Sequence, residues 1–127
     1  MAMHDGLHAA LTERIIRCAI EVHKQLGPGL PESVYESALC FELTAAELPY
    51  KRQVGVPLYY KGQLLSEHRP DLVVCDAVVV EIKAVERYDP IHTAQMLTYL
   101  RVIGLRVGLV LNFNTSMLVR GIRRVIL

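Results

Sequence analysis

Charged side chains with possible chemical roles lie within one apolar stretch of the chain, residues 69–83. Three consecutive valines, residues 78–80, are typical of a buried strand, where charge is rarely tolerated. Glu81 and Lys83 nevertheless follow directly, and because strand side chains alternate between faces, these two point to the same side. Asp71 precedes them in the same stretch. Two carboxylates that hold a divalent cation, with a lysine beside them, would explain this pattern.

The length and composition of the chain predict one compact domain over residues 1–127, since 52% of its residues are hydrophobic. No apolar stretch reaches the ~20 residues of a membrane span. The N-terminus has no basic region followed by an apolar run, so we expect no signal peptide. Cys18, Cys40 and Cys75 are widely spaced and form no Cys-x-x-Cys motif, which predicts buried, reduced thiols in a cytoplasmic protein.

The charge of the chain is unevenly distributed. Residues 1–50 contain three Arg and Lys against seven Asp and Glu, a net −4, whereas residues 51–127 contain eleven against six, a net +5. The basic second part could contact phosphates. With an overall pI near 7.8, this is weak support for a nucleic-acid partner.

The first half of the chain predicts two helices. Apolar residues at helical spacing predict a helix over about residues 7–25, which Gly27-Pro28-Gly29 ends. Pro31 is expected at the first position of a second helix that continues to about residue 47 and uses Val34 and Phe41 among its apolar residues. Glu32 and Glu36 share one face of this helix, where they either serve a site or only favour the positive end of the helix dipole.

The second half of the chain predicts a sheet and a third helix. We expect strands over residues 53–60, 64–74 and 77–83 to form a meander with turns at Lys61-Gly62 and Cys75-Asp76. A helix over about residues 90–103 places His92, Gln95 and Tyr99 on one face. A strand over residues 107–113 is almost wholly apolar and therefore interior, and the last segment is a short strand or helix. Tyr35 is interpreted as a packing residue with a hydrogen-bonded hydroxyl.

Four short motifs resemble those of known nucleases. Pro70-Asp71 and Glu81-Ile82-Lys83 resemble the two parts of the motif that names the PD-(D/E)XK nuclease superfamily. Gln95 and Tyr99 are similar to the Gln-x-x-x-Tyr motif of its RecB-like members. The segment 29–35 resembles the signature of the small GxxExxY family, in which Asn112-Phe113-Asn114 is also typical. The resemblance implies an α/β fold with a restriction-endonuclease-like core, in which helices flank a mixed four- to five-stranded sheet.

The resemblance also implies a function, a metal-dependent nuclease that hydrolyses phosphodiester bonds in DNA. The implied cofactor is Mg²⁺ or Mn²⁺, with a ligand set of Asp71, Glu81, the carbonyl of Ile82, and Glu32. The implied catalytic residues are Asp71, Glu81, Lys83, Glu32, Gln95 and Tyr99. Lys83 would orient the attacking water or stabilise negative charge, and Gln95 and Tyr99 would hold Lys83 or the phosphate.

Two alternatives stay open at this point. The three charged residues at the strand end could form a structural ion-pair cluster, although two acids and one base in a half-buried place contribute little to stability. The whole chain could instead be a nucleic-acid-binding or self-assembling structural protein that keeps the nuclease fold without significant cleavage. In either case we expect no membrane association. We expect the protein to form a homodimer or a larger homo-oligomer, or to be a subunit of a complex.

Overall fold

The computed structural model describes residues 6–127, which form three α-helices and seven strands. The helices are α1 (Ala9–Leu26), α2 (Glu32–Ala45) and α3 (Pro90–Ile103). The strands are β1 (Tyr50–Arg52), β2 (Val56–Tyr60), β3 (Gln63–His68), β4 (Leu72–Val74), β5 (Val78–Lys83), β6 (Val107–Asn112) and β7 (Ile122–Ile126). A short 3-10 helix, Leu118–Gly121, precedes β7.

Five of the strands form one mixed sheet in the order β1-β4-β5-β6-β7. β5 and β6 run parallel, whereas β1 with β4, β4 with β5 and β6 with β7 are antiparallel. β2 and β3 form a separate two-stranded sheet. The mixed sheet of four to five strands that the sequence predicted is therefore confirmed, and β6 is an interior strand as expected.

Helices cover both faces of the main sheet. Val78, Val80 and Ile82 of β5 pack into the core that α1 and α2 form. Val79 points to the other face, where it packs against Met96 and Leu100 of α3. Because strand side chains alternate, the positions of Glu81 and Lys83 continue the α3 face of β5 beyond Val79.

The predicted three-strand meander is wrong. β2 and β3 pair only with each other within the described residues, and β4 pairs with β1, a strand that the sequence did not predict. Pro70 lacks an amide hydrogen and cannot continue a ladder, so the expected return strand ends at His68 and pairing starts again with Leu72. The chain therefore reaches Asp71 through an interruption between two sheets.

Both predicted hairpin turns are confirmed. Cys75 and Asp76 have φ values of 54° and 52°, and the amide of Ala77 donates to the carbonyl of Val74 at 3.0 Å. Two consecutive residues with positive φ match the right-handed twist of the flanking strands. The result is a tight connection that fixes the register of β4 and β5.

The second helix differs in detail from the prediction. Pro31 is its N-cap, not its first helical residue, and the helix ends at Ala45. Tyr35, Leu39 and Leu43, spaced four apart, form the buried stripe, whereas Phe41 is 72% exposed. A residue two positions from Leu39 and Leu43 lies on the opposite side of a helix with 3.6 residues per turn, which explains the exposure of Phe41.

The remaining elements agree closely with their predicted bounds. At the start of α3, the side chain of the N-cap residue Asp89 accepts a hydrogen bond from the amide of Ile91 at 2.9 Å, and Gly104 ends the helix with a φ of 86°. The last segment forms both a 3-10 helix and a strand. Between residues 6 and 127, no helix combines the length and apolar character needed to cross a membrane.

Candidate active site

Asp71 and Glu81 meet at one end of the main sheet, where β4 begins and β5 ends. The register pairs Leu72 with Val80, which places Asp71 opposite Glu81. The amide of Asp71 donates to Glu81 Oε1 at 2.9 Å, and the amide of Ile82 donates to Asp71 Oδ2 at 2.7 Å. Each carboxylate is thus held by the backbone of the other strand, so the hairpin itself fixes the two acids together.

Burial makes this pair of acids costly to ionise. Desolvation, followed by the charge of Glu81, raises the pKa of Asp71 to about 8, although the hydrogen bond from Ile82 opposes the shift. Desolvation also raises the pKa of Glu81, against the hydrogen bond from the Asp71 amide and the charge of Lys83. Carboxyl groups that contact each other and have raised pKa values are typical of functional sites. A bound cation would favour the ionised form of both.

Lys83 is the cationic side chain placed beside the pair. Its Nζ lies 3.9 Å from Glu81 Oε2, and the two side chains are only 18% and 12% exposed. The Lys83 carbonyl accepts a hydrogen bond from the amide of Phe113 at 2.9 Å, which fixes the end of β5 against the chain that leaves β6. The ammonium is therefore held close to the acids in a mostly buried setting.

Tyr99 and Gln95 reach the same place from α3. Burial, and then the negative charges of Glu81 and Asp71, raise the pKa of Tyr99 to about 12, while a hydrogen bond with Gln95 opposes this shift. The phenol therefore stays protonated and can donate. His92 shares the helix but lies against Tyr88 in an edge-on contact, with ring centroids 5.4 Å apart. Of the three predicted residues, Tyr99 thus senses the charges of the acids, Gln95 is linked to the site through Tyr99, and His92 contacts Tyr88.

The two acids of α2 have different surroundings. Glu32 Oε2 accepts a hydrogen bond from the amide of Ala84 at 3.3 Å, and its charge contributes to the raised pKa of Glu81. Glu36 Oε2 instead accepts from Arg52 Nε and Nη2 at 3.0 Å and 2.8 Å. Glu32 therefore faces the strand end that holds the acid pair, whereas Glu36 is occupied by an ion pair.

Tyr35 supports Glu32 through the loop that precedes it. Its ring is fully buried and stacks on Phe113 with centroids 4.5 Å apart. Its hydroxyl donates to the Gly27 carbonyl at 2.5 Å and accepts from the Leu30 amide at 3.1 Å. The prediction of a packing residue with a hydrogen-bonded hydroxyl is confirmed, and the contact fixes the chain that leads into α2.

Asn112 is a supporting residue, which the sequence indicated only as part of a family-typical segment. Its Nδ2 donates to the carbonyl of Val85 at 2.9 Å, and its Oδ1 accepts from the amides of Val85 and Asn114, both at 3.1 Å. This buried side chain thereby clamps the segment that follows Lys83. The available signal was a polar residue that ends an otherwise apolar strand, because a buried amide needs partners.

The donor set fits a hard divalent cation. No cage of three or more His, Cys, Asp or Glu side chains is preformed between residues 6 and 127. Mg²⁺ commonly binds through one or two carboxylates and keeps several waters, so Asp71 and Glu81 suffice as its protein carboxylates. One oxygen of each accepts a backbone amide, which leaves for a cation Asp71 Oδ1 and Glu81 Oε2, the latter 3.9 Å from Lys83 Nζ. The carbonyl of Ile82 points to the same side as its amide, toward Asp71.

The family model of the PD-(D/E)XK nuclease superfamily matches residues 9–125, and the chain therefore belongs to that superfamily. The mixed sheet flanked by helices is consistent with the restriction-endonuclease-like fold. Membership suggests a nuclease that binds nucleic acid, and nucleases of this superfamily typically use divalent metals. No curated protein and no solved structure matches the chain. The narrower resemblance to the GxxExxY family stays a prediction.

Proposed function

We propose that this protein is a Mg²⁺- or Mn²⁺-dependent nuclease that hydrolyses phosphodiester bonds in DNA. The observation that supports this most directly is the buried contact of Asp71 and Glu81 beside Lys83 at one end of the sheet. Two carboxyl groups that are hard to ionise together call for a cation. When bound, the cation would supply Lewis acidity and lower the pKa of a water molecule.

The residues around the pair would divide the remaining work. The carbonyl of Ile82 would complete the ligands from β5. The ammonium of Lys83 would orient the attacking water and stabilise the negative charge that develops on the phosphate. Tyr99, whose phenol stays protonated, would donate a hydrogen bond in the same region, and Gln95 would position it.

Glu32 would act from the opposite side of the strand end. Its contact with the Ala84 amide puts it directly beyond Lys83, where it can hold a water molecule of the cation. Carboxylates that act through such waters typically change activity 10- to 100-fold when replaced. Glu36, bound to Arg52, would instead hold the helix in place.

The β2–β3 hairpin supports a second candidate, a binding or self-assembling protein with the nuclease fold. Tyr59, Tyr60, Leu64 and Leu65 are all more than half exposed on this hairpin. Apolar surface of this kind often marks an interaction site. A homodimer or larger homo-oligomer would cover it, and sedimentation of wild type against a Tyr59→Ser and Leu64→Ser double variant tests this directly.

The nuclease proposal is tested by incubating the protein with single- and double-stranded DNA and RNA, with Mg²⁺, Mn²⁺ or EDTA. We expect cleavage of DNA with either cation and none with EDTA. The matched control is Asp71→Asn combined with Glu81→Gln, prepared identically to exclude a contaminating nuclease. Equal cleavage by this double variant and wild type would refute the proposal. Tight binding without cleavage under every condition would favour the second candidate.

A further inference from the structure

A cavity of about 380 Å³ lies between the C-terminal end of α1 and the loop that follows β6. Its volume is within the range of small-molecule sites, which are usually apolar with a few polar groups. The apolar walls are Ile20, Pro28, Met117, Leu118 and Val119, and the polar ones include His23, Lys24 and Ser116. Met117 and Val119 are 53% and 57% exposed, although both are apolar. Neither side chain packs into a hydrophobic core of the described residues.

Both walls of this cavity start at the end of the sheet that holds the acid pair. Lys83 pairs with Asn112, so the loop after β6 leaves the sheet beside Lys83. The other wall ends at Pro28, four residues before Glu32, and four residues of extended chain span at most ~14 Å. Both walls of the cavity are therefore within four residues of chain of the strand end, counted from Asn112 and from Glu32, and they lie on the α1 side of the sheet.

Hydrogen bonds connect the cavity to the strand end. His23 Nε2 lies 2.8 Å from the Thr115 carbonyl, and the Thr115 hydroxyl lies 3.0 Å from the Met117 carbonyl and 3.4 Å from the Asn112 carbonyl, so its one proton is shared between these two acceptors. Asn112 in turn clamps Val85, two residues after Lys83. Because a carbonyl only accepts, His23 Nε2 carries the proton, and its Nδ1 is an acceptor in the neutral ring.

We propose that this cavity is a nucleobase subsite, which receives one unpaired base of the substrate strand beside the phosphate held at Asp71 and Glu81. This inference rests on the proposed nuclease function. The apolar walls would enclose the faces of a base, and the polar side chains of His23 and Ser116, which line the cavity, would contact its polar edge. Lys24, exposed at the rim, has the charge to meet an adjacent phosphate. The helix dipole also favours a lysine at this end of a helix, so Lys24 alone does not indicate a phosphate-binding site.

The subsite implies a preference for single-stranded DNA. A base in a duplex is paired and stacked, and it must leave the stack before it can enter a pocket. The strand would pass over the end of the sheet, from the acids on the α3 side to the cavity on the α1 side. Frayed ends and single strands would satisfy this requirement more easily than closed duplexes.

The first experiment measures binding without cleavage. Methyl NMR of Ile20, Met117 and Val119 in EDTA would follow titration with dAMP, and separately with deoxyribose 5-phosphate. We expect saturable shifts with dAMP and at least ~10-fold weaker binding without the base, because the base supplies the apolar surface that the cavity would bury, at roughly 25 cal/mol per Å². Val119→Trp should fill the cavity and abolish the dAMP shifts. Val102→Trp, on a comparably exposed apolar residue of α3, should leave them unchanged.

The second experiment moves a single abasic position along a single-stranded oligonucleotide. We expect an abasic site at one position next to the cleaved bond to lower kcat/KM about 10-fold for wild type and for Val102→Trp. The same abasic site should not lower kcat/KM for Val119→Trp, because its cavity is already filled. Equal binding of dAMP and deoxyribose 5-phosphate, or equal effects of the two Trp variants, would overturn the subsite. A change of oligomeric state in Val119→Trp would reassign the cavity to an interface between copies. Base-specific binding without any cleavage would refute the nuclease proposal and leave the subsite in place.

Discussion

The two ends of β4 each have an aspartate next to them, and the two are in opposite physical settings. Asp71 precedes the strand, and its carboxylate is bound to the amide of Ile82 in a largely buried position. Asp76 follows the strand in the hairpin turn and pairs with Lys51 at 3.1 Å. These two side chains are 76% and 68% exposed. Five residues along the chain thus separate a desolvated carboxyl from a solvated one.

This difference shows which of the two needs a functional explanation. An exposed ion pair contributes about 0–1 kcal/mol and serves here as part of a turn. A buried carboxyl that faces a second carboxyl opposes folding when both are ionised. Placing Asp71 and Glu81 together therefore lowers the free energy of unfolding. Such a loss is expected at a site selected for binding or catalysis.

The largest effect is expected when both buried acids are neutralised. Asp71→Asn with Glu81→Gln should lower cleavage by ~1000-fold or more, because both proposed carboxylate ligands are lost. The same variant should lose the rise in Tm that Mg²⁺ or Mn²⁺ gives wild type, since a ligand that binds only the folded state stabilises it. Calorimetry and thermal melts measure both effects.

The matched control for this double variant neutralises two exposed acids, Glu67→Gln with Asp76→Asn. It should retain cleavage and the metal-dependent rise in Tm. If the control and the buried double variant bind metal equally, the cation site lies elsewhere in the chain.

Lys83→Ala is expected to have the next largest effect. Cleavage should fall by ~100-fold or more, because the ammonium is proposed to act on the transition state. Metal binding should persist, since lysine is not a cation ligand. Lys51→Ala removes an equally charged but exposed side chain and should leave the rate unchanged. Single-turnover kinetics with calorimetry separates the two roles, and an unchanged rate in Lys83→Ala would remove Lys83 from the mechanism.

Replacing the two acids of α2 should produce smaller and unequal effects. Glu32→Gln should lower activity by about 10-fold with little loss of stability, because Glu32 is exposed and faces the strand end. Glu36→Gln should mainly lower Tm, since it leaves Arg52 without its carboxylate partner. A larger loss of activity in Glu36→Gln than in Glu32→Gln would reverse the assignment.

Much of the fold could be predicted because its signals are local. The hairpin turn at Cys75 and Asp76 and the helix between Asp89 and Gly104 were read from turn and cap residues, which act within a few positions. The alternation of β5 similarly placed Glu81 and Lys83 on one side. The pairing of β4 with β1 depends on which distant segment lies beside it, and three residues of strand carry too little pattern to show this.

The supporting contacts could not be predicted for a related reason. Asn112 holds Val85 and Glu36 holds Arg52 across long separations in the chain. A buried polar residue shows that some partner must exist, but the sequence does not show which one. The resemblance to nucleases already assigned Glu32 and not Glu36 to the site, but their partners, the Ala84 amide and Arg52, required the structure.

The pH dependence of stability without metal tests the comparison of Asp71 and Asp76 most directly. In the unfolded chain Asp71 ionises near its ordinary pKa of 3.8, whereas in the folded protein its pKa is about 8. Between these values the folded state binds more protons than the unfolded state, so this carboxyl makes stability fall as pH rises from about 4 to 8.

Asp71→Asn cannot ionise and should remove that loss. With EDTA at pH 8, it should gain about 1 kcal/mol or more over wild type, after allowance for partial exposure. Asp76→Asn should keep the wild-type slope and stay within about 0.5 kcal/mol of wild type at every pH. Thermal melts from pH 4 to 8 measure the three slopes. Parallel curves for Asp71→Asn and wild type would show that the buried aspartate folds at no electrostatic cost, and the contrast between the two ends of β4 would be lost.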